Sequence, residues 1–262
     1  MACSKYEYVR KYESPSFLLP RTYIVVRIDG RGFTKFTTNY NFEKPNDKNG
    51  ISLMTKAAEE TMKNFPDIFL AYGQSDEYSF IFNKNTTLFS RRSEKIISCV
   101  TSCFSSAYTI YFNDFFPDKK LTDIPMFDGR CILYPDLKTL RDYLSWRQVD
   151  CHINNLYNTA FWCLVKSGTS NQEAEKSLKV MKSDEKNELL FSKFGVNYNT
   201  EPEIFRKGTI LIWMEDFKEK HKNSNIQETK LDNVNKTRNV MKLHEDLIKD
   251  FFWEKYKDSL DI

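Results

Sequence analysis

The chain has 262 residues, 40% of them hydrophobic and 15% aromatic, which allows one large core domain or a core with a helical extension. A formal net charge of +3 permits a nucleic-acid partner without arguing for one. No stretch approaches the roughly 20 apolar residues of a membrane span, and the charged start MACSKYEYVRKYE lacks the apolar run of a secretory signal, so no membrane partner is expected.

In chain order, residues 22–29 read as a strand, because the β-branched run Ile24-Val25-Val26 continues through Ile28. Residues 47–64 read as a helix, with Asp47 placed to cap it and Ile51, Leu53, Met54, Ala57, Ala58, Thr61 and Met62 on one stripe. Residues 67–73 and 77–82 read as two strands joined by a tight turn at Gln74-Ser75-Asp76. Residues 90–115 read as a long helix and 124–133 as a fourth strand. The order is β-α-β-β-α-β, the ferredoxin-like pattern. Beyond it, residues 137–167 look helical, 172–194 predict two short helices, and 205–214 a further strand. The Lys/Asn-rich stretch 219–239 reads as a loop, and 240–257 has amphipathic spacing. The fold expected is α+β, with a catalytic unit at 1–135 and a mainly helical extension at 136–262 packed on it. The six cysteines, Cys3, Cys99, Cys103, Cys131, Cys151 and Cys163, form no CxxC pair and read as buried free thiols, which fits a reducing compartment.

This topology makes a geometric claim. Strand 77–82 hairpins back between the other two, antiparallel to both, so the end of strand 22–29 lies beside the turn at 74–76. Asp29 and Asp76 then stand at one sheet edge, where neighbouring strands are about 4.8 Å apart. Paired carboxylates suit a hard cation such as Mg²⁺, and two ions could share a triphosphate. Taken singly, each acid could equally cap a helix or shape a turn. Glu77 adds a third carboxylate, which alternation from Asp76 turns to the other side of the strand.

Other residues have bland and functional readings side by side. Gly30-Arg31-Gly32 is a turn whose backbone could approach phosphates, a reading favoured by its place next to Asp29. Arg91, Arg92 and Lys95 stand in a first helical turn, where the helix dipole disfavours cations; an anionic partner and a solvated basic turn explain them equally. His152 is one of 3 histidines and has no zinc-ligand spacing, but Asn154, Asn155 and Asn158 surround it with hydrogen-bonding groups. Tyr78, Phe80 and Phe82 share one strand face, as base-stacking aromatics do in RNA-recognition domains, although core packing is the plainer account.

At these residues the chain resembles tRNA-histidine guanylyltransferases. The segments that carry the likeness are RIDGRGF at 27–33, FEKPND at 42–47, AYGQSDEYSF at 71–80, FDGR at 127–130, YLSWRQVDCHINNLYNT at 143–159, KNE at 186–188, NYN at 197–199 and RKGT at 206–209. The resemblance implies a fold like the palm domain of polymerases and an enzyme that adds one guanylate to the 5′ end of tRNA-His, with ATP and GTP as substrates. It implies that Asp29, the Gly30 carbonyl and Asp76 hold two Mg²⁺ ions, with Glu77 a further catalytic acid. Nucleotide binding would fall to Asp29, Gly30, Arg31, Gly32, Phe33, Thr34, Ser75 and Asp76, joined by Lys44, Asn46 and Asp47. Arg92 and Lys95 would bind a second triphosphate or the tRNA 5′ end. His152, Asn155 and Asn158, with Lys186 and Asn187, would handle tRNA or nucleotide. The likeness also implies a homotetramer. A cytoplasmic location is expected, with the nucleus and mitochondrion not separated from it by any targeting signal. Two positions depart from the family pattern: Thr34, where a histidine is expected, and Val180-Met181-Lys182, where a Gly-Thr turn is expected.

Three other readings are weighed against this one. A diguanylate-cyclase-like protein would carry a GG[DE]EF-type hairpin, which Gly73-Gln74-Ser75-Asp76-Glu77-Tyr78 fits poorly. A non-catalytic RNA-binding module would use Tyr78, Phe80 and Phe82 and leave the two acids without a purpose. A template-dependent 3′-5′ repair polymerase would share the guanylyltransferase chemistry.

Overall fold

The computed structural model describes residues 4–215 and 238–260. Its centre is an antiparallel sheet of β1 (Tyr23–Gly30), β2 (Ile68–Gln74), β3 (Glu77–Phe82), β4 (Phe127–Tyr134), β5 (Thr209–Glu215) and β6 (Arg238–Leu243), in the order β4-β1-β3-β2-β5-β6. β3 lies between β1 and β2 and is antiparallel to both, as the sequence predicted.

The central strands are apolar on both faces because helices cover both. Ile24, Val26 and Ile28 of β1 pack with α2 (Lys48–Asn64) and α3 (Ser93–Phe115); Tyr23 and Val25 pack under α4 (Leu137–Lys166) and α8 (Asp250–Lys255). Tyr78, Phe80 and Phe82 are buried in the first of these layers, so they are core rather than a base-stacking surface. Asp47 caps α2 as expected, its Oδ1 accepting from the Gly50 N–H at 2.8 Å. A third cluster ties α4 to α5 (Asn171–Lys179) and α6 (Ser183–Phe194) through Leu156, Leu178 and Leu190.

The structure corrects the sequence reading in several places. α1 (Phe33–Asn39), FTKFTTN, is too Thr-rich to signal a helix. It forms because Phe33 and Phe36 share a face and insert among Tyr108, Phe112 and Phe127. α3 starts at Ser93, not at 90, because Phe89, Ser90 and Arg91 have positive φ. Residues 203–207 form α7 (Glu203–Lys207), which delays β5 to Thr209. Residues 238–243 pair with β5 as a strand, although nothing in their sequence pattern signals one. The remainder of the predicted loop, 219–237, lies outside the described residues. Among the described cysteines all are free, but only Cys151 is buried; the rest are half-buried, and Cys3 is outside the described residues.

Candidate active site at the sheet edge

β1 and the β2–β3 hairpin end together. Asp29 on β1 lies opposite Glu77 on β3 and Asp128 on β4. Cross-strand partners share a face, so the three acids form a row on the α4 side of the sheet. Glu77 therefore shares a face with Asp29 and, as the alternation count predicted, faces away from Asp76, whose carboxylate lies on the Phe33 and Tyr108 side. The Gly30 N–H donates to the Asp76 carbonyl at 3.1 Å. A Cβ on Gly30 would come within 2.4 Å of the Phe33 ring and 2.8 Å of Asp76 Oδ2, so glycine is what lets these groups close on the strand end. Ser75 takes a φ of 50°, and its hydroxyl donates to Asp76 Oδ1 at 3.0 Å.

Burial raises the Asp76 carboxyl above its ordinary value, and the negative charge of Asp29 raises it further; hydrogen bonds from Ser75 and the backbone oppose this, not a cationic side chain. Asp29 is also raised, first by burial and then by Asp128, against Arg130 and Arg27. An oxygen-only pair of carboxylates, both raised by burial and with no cationic side chain acting on Asp76, fits a hard divalent cation. No group of three or more His, Cys, Asp or Glu residues suited to a metal occurs among the described residues, so further ligands would be water, phosphate or backbone oxygen.

A cleft of about 530 Å³ opens at this edge between α1, the start of α2 and α4. It brings together Asp29, Phe33, Thr34, Lys44, Asn46, Asp47, Ser75, Asp76, Glu77, Asn155 and Asn158 of the predicted set. Gly30, Arg31 and Gly32 make the turn beside it; Gly32 has a φ of 70° and precedes α1, which requires glycine there. Lys44 donates to Thr37 Oγ1 at 3.0 Å, and burial lowers its pKa, with Asp47 opposing. Asn155 is buried: its Oδ1 accepts from Asn46 at 2.9 Å and its amide donates to the Tyr198 hydroxyl at 3.0 Å, so it braces the 42–47 loop.

The other predicted residues lie elsewhere. Arg92 and Lys95 start α3, and the neighbouring Arg91 guanidinium bonds Thr22 at the opposite end of β1. At roughly 3.3 Å per residue, Thr22 and Asp29 are about 23 Å apart. Arg91 is buried and bonds Leu18, Leu19 and Thr22, so its role is structural. His152 is exposed and packs edge-on against Tyr198, its pKa lowered by partial desolvation and by Arg206. Lys186 donates to the Met181 carbonyl at 2.5 Å and lies 5.9 Å from the Tyr157 ring centroid; Asn187 donates to the Ser183 carbonyl within α6. The departing segment 180–182 thus holds the Lys186 ammonium.

On the cleft wall formed by α4, the sequence reading picked out Asn154, Asn155 and Asn158 but assigned no role to Arg147, Asp150, Cys151 or Trp162. Arg147, Asp150, Cys151, Asn154, Asn155, Asn158 and Trp162 line it at helical spacing. Arg147 donates to Glu77 at 2.8 Å and to Asp150 at 2.6 Å, and Gln74 and Asn154 donate to the same Asp150 oxygen. The signal was available: polar residues recur at i, i+3 and i+4 in a segment otherwise able to be fully buried.

Comparison with known proteins agrees with this architecture. A family model described as tRNAHis guanylyltransferase matches residues 6–135, and one described as Thg1 C terminal domain matches residues 138–249. The chain is 53% identical to the tRNA(His) guanylyltransferase of Schizosaccharomyces pombe over 97% of this chain and 96% of that one. It is 48% identical to the Neurospora crassa enzyme of the same name, over 97% and 94%. The crystal structure of tRNA(His) guanylyltransferase from Saccharomyces cerevisiae superposes with a TM-score of 0.76 at 50% identity, covering 79% of this chain and 93% of that one. A bacterial tRNA(His) guanylyltransferase-like protein in complex with ATP shares the fold, with a TM-score of 0.75 at 22% identity over 99% of this chain and 100% of that one. This chain belongs to the tRNA(His) guanylyltransferase family and is a nucleotidyltransferase.

Proposed function

We propose that this enzyme adds one guanylate to the 5′ end of tRNA-His, using ATP to adenylylate the 5′-monophosphate and the 3′-hydroxyl of GTP to displace AMP. Pyrophosphate is then removed from the added guanylate. The observation that carries the reading is the convergence of Asp29 and Asp76 at one end of a cleft large enough for a nucleotide. The four-stranded β4-β1-β3-β2 section serves as a ferredoxin-like palm, with residues 136–262 as the extension packed on it.

Asp29, Asp76 and the Gly30 carbonyl would hold two Mg²⁺ ions, which when bound lower the pKa of an attacking hydroxyl and neutralise phosphate charge. Ser75 orients the Asp76 carboxylate. Lys44 sets a positive charge in the cleft, and Asn155 fixes the 42–47 loop that flanks the nucleotide. Arg147 holds Glu77 and closes that wall. Arg92 and Lys95, which do not line the cleft, are assigned to a second triphosphate or the tRNA 5′ end, and a homotetramer is part of the same proposal. Asp29→Ala and Asp76→Ala should each abolish guanylate addition while leaving the circular dichroism spectrum unchanged. Addition at wild-type rate by either variant would remove the carboxylate pair from the chemistry.

A further inference from the structure

α7 forms part of the cleft wall through Ile204 and Phe205, both half-buried, although no residue of this helix is fully buried. So short a helix cannot persist by propensity, and it leaves nearly all its carbonyls without intrahelical partners. Side chains from other elements meet those carbonyls. The Cys151 thiol donates to the Phe205 carbonyl at 3.5 Å. The Lys207 carbonyl accepts from the Tyr72 hydroxyl at 2.9 Å and from the Gln148 amide at 2.9 Å. Just beyond the helix, His244 Nδ1 lies 2.9 Å from the Gly208 carbonyl, which can only accept, so that nitrogen carries the proton.

Gln148 is the hub of this arrangement. It is 4% exposed, and its amide also donates to the Glu245 carbonyl at 3.0 Å while its oxygen accepts from the Leu247 N–H at 2.7 Å. All three of its bonds hold backbone. Burying a polar side chain is costly unless it is bonded, and here the buried Tyr72, Gln148 and Cys151 converge on α7. β5 does not need them, because it is already in register on β2, with Thr209 opposite Gly73. What they fix is the segment just before β5, and with it the two apolar side chains that α7 turns to the cleft. Neither Ile204 nor Phe205 can bond a phosphate or a metal, so this part of the cleft suits a flat, apolar-faced group.

We infer that Ile204 and Phe205 form an apolar wall on which a substrate nucleobase stacks, and that Gln148 is the positioning residue that sets this wall by tying α7 to the 245–247 segment. This rests on the transferase reading above, which puts nucleotide phosphates at Asp29 and Asp76. An aromatic ring serves here because every base offers a π-face. The base assigned is that of the bound nucleoside triphosphate; a terminal base of the tRNA has the same chemistry, and the test separates the two.

The test uses the full chain. Binding of GTP, ATP and inorganic tripolyphosphate, which has no base, is followed by equilibrium dialysis with Mg²⁺, and binding of 5′-monophosphorylated tRNA-His by fluorescence anisotropy. Phe205→Ala should weaken GTP and ATP about tenfold and tripolyphosphate less than about twofold. Gln148→Met keeps length and volume but removes the amide; it should weaken the same two nucleotides about fivefold, spare tripolyphosphate, and raise KM for GTP by a larger factor than it lowers kcat. The double variant should bind no more weakly than Phe205→Ala alone, a non-additivity that a general loosening of the fold does not produce. Tyr72→Phe takes one donor from the same carbonyl and should give a smaller loss in the same direction, which carries the test if Gln148→Met does not fold. Weaker tRNA binding with GTP and ATP unchanged would place the RNA's base on the wall and uphold it with the other ligand. Unchanged affinity for nucleotides and tRNA in Phe205→Ala would overturn the wall, and additive losses in the double variant would overturn the role of Gln148. Guanylate addition by the same wild-type preparation keeps those failures distinct from failure of the transferase reading, and thermal melts of each variant exclude unfolding as the cause.

Discussion

Arg147→Met tests whether the α4 wall is held by charge or by packing. The Arg147 side chain is 8% exposed and donates to Glu77 at 2.8 Å and Asp150 at 2.6 Å, with its guanidinium 4.2 Å from the Trp146 ring centroid. Methionine fills much of the same volume, so the cavity cost is small. The main cost is Glu77, 14% exposed and left with only Arg27 at 4.0 Å. Asp150 is 36% exposed and can turn to water. Removing one partner of a buried pair costs about 3–5 kcal/mol, most of it from the stranded charge. Burial already raises the Glu77 carboxyl above its ordinary value, against the lowering by Arg147 and Arg27, so the stranded acid would bind a proton more readily still. Urea unfolding at pH 7 should show the single variant destabilised by about 3–5 kcal/mol. The double variant Arg147→Met/Glu77→Gln should recover about half of that, a coupling well above the 0.5 kcal/mol expected of independent sites. A loss below about 1 kcal/mol, or a double variant no better than the single, would refute the reasoning.

Three further outcomes are expected. Gly30→Ala should cost about 1–3 kcal/mol by overpacking against the Phe33 ring, and should cost far more in guanylate addition because Asp76 is displaced with it; Gly32→Ala meets no atom but is strained by its φ of 70°, so it should cost about 1–2 kcal/mol of stability with the smaller loss in activity. Asp76→Asn should raise the melting temperature in metal-free buffer at pH 7. The folded-state pKa of Asp76 is raised, so its contribution to stability is present below the ordinary value of 3.8 and is lost as pH rises through the folded value, and the gain from asparagine should disappear in acid. Asp47→Ala removes both the α2 cap and the bond from the Glu43 N–H, and should lower stability by about 1–2 kcal/mol on thermal or urea unfolding, with weaker GTP binding.

The elements legible in the sequence were those whose burial is uniform. β1, β2 and β3 announce themselves as apolar runs, and α2 by its stripe and its capping aspartate. α1 and β6 were not legible, because each depends on partners remote in sequence: Phe33 and Phe36 need the aromatic cluster of α3 and β4, and Arg238–Leu243 needs the free edge of β5. The same division runs through the site. Asp29 and Asp76 follow from topology. The acidic row with Glu77 and Asp128 depends on the cross-strand register that sets both opposite Asp29, which no local pattern in the three segments specifies. Arg92 and Lys95 start α3 and do not line the cleft, so local sequence did not show whether they share its ligand.

The central claim is settled most directly by incubating the protein with labelled GTP, ATP and Mg²⁺, and either 5′-monophosphorylated tRNA-His or a tRNA of different anticodon. The account predicts one labelled guanylate at the 5′ end of tRNA-His and little on the other. Addition to both would point to a repair-type 3′-5′ polymerase of the same chemistry, and no incorporation into either would contradict the account.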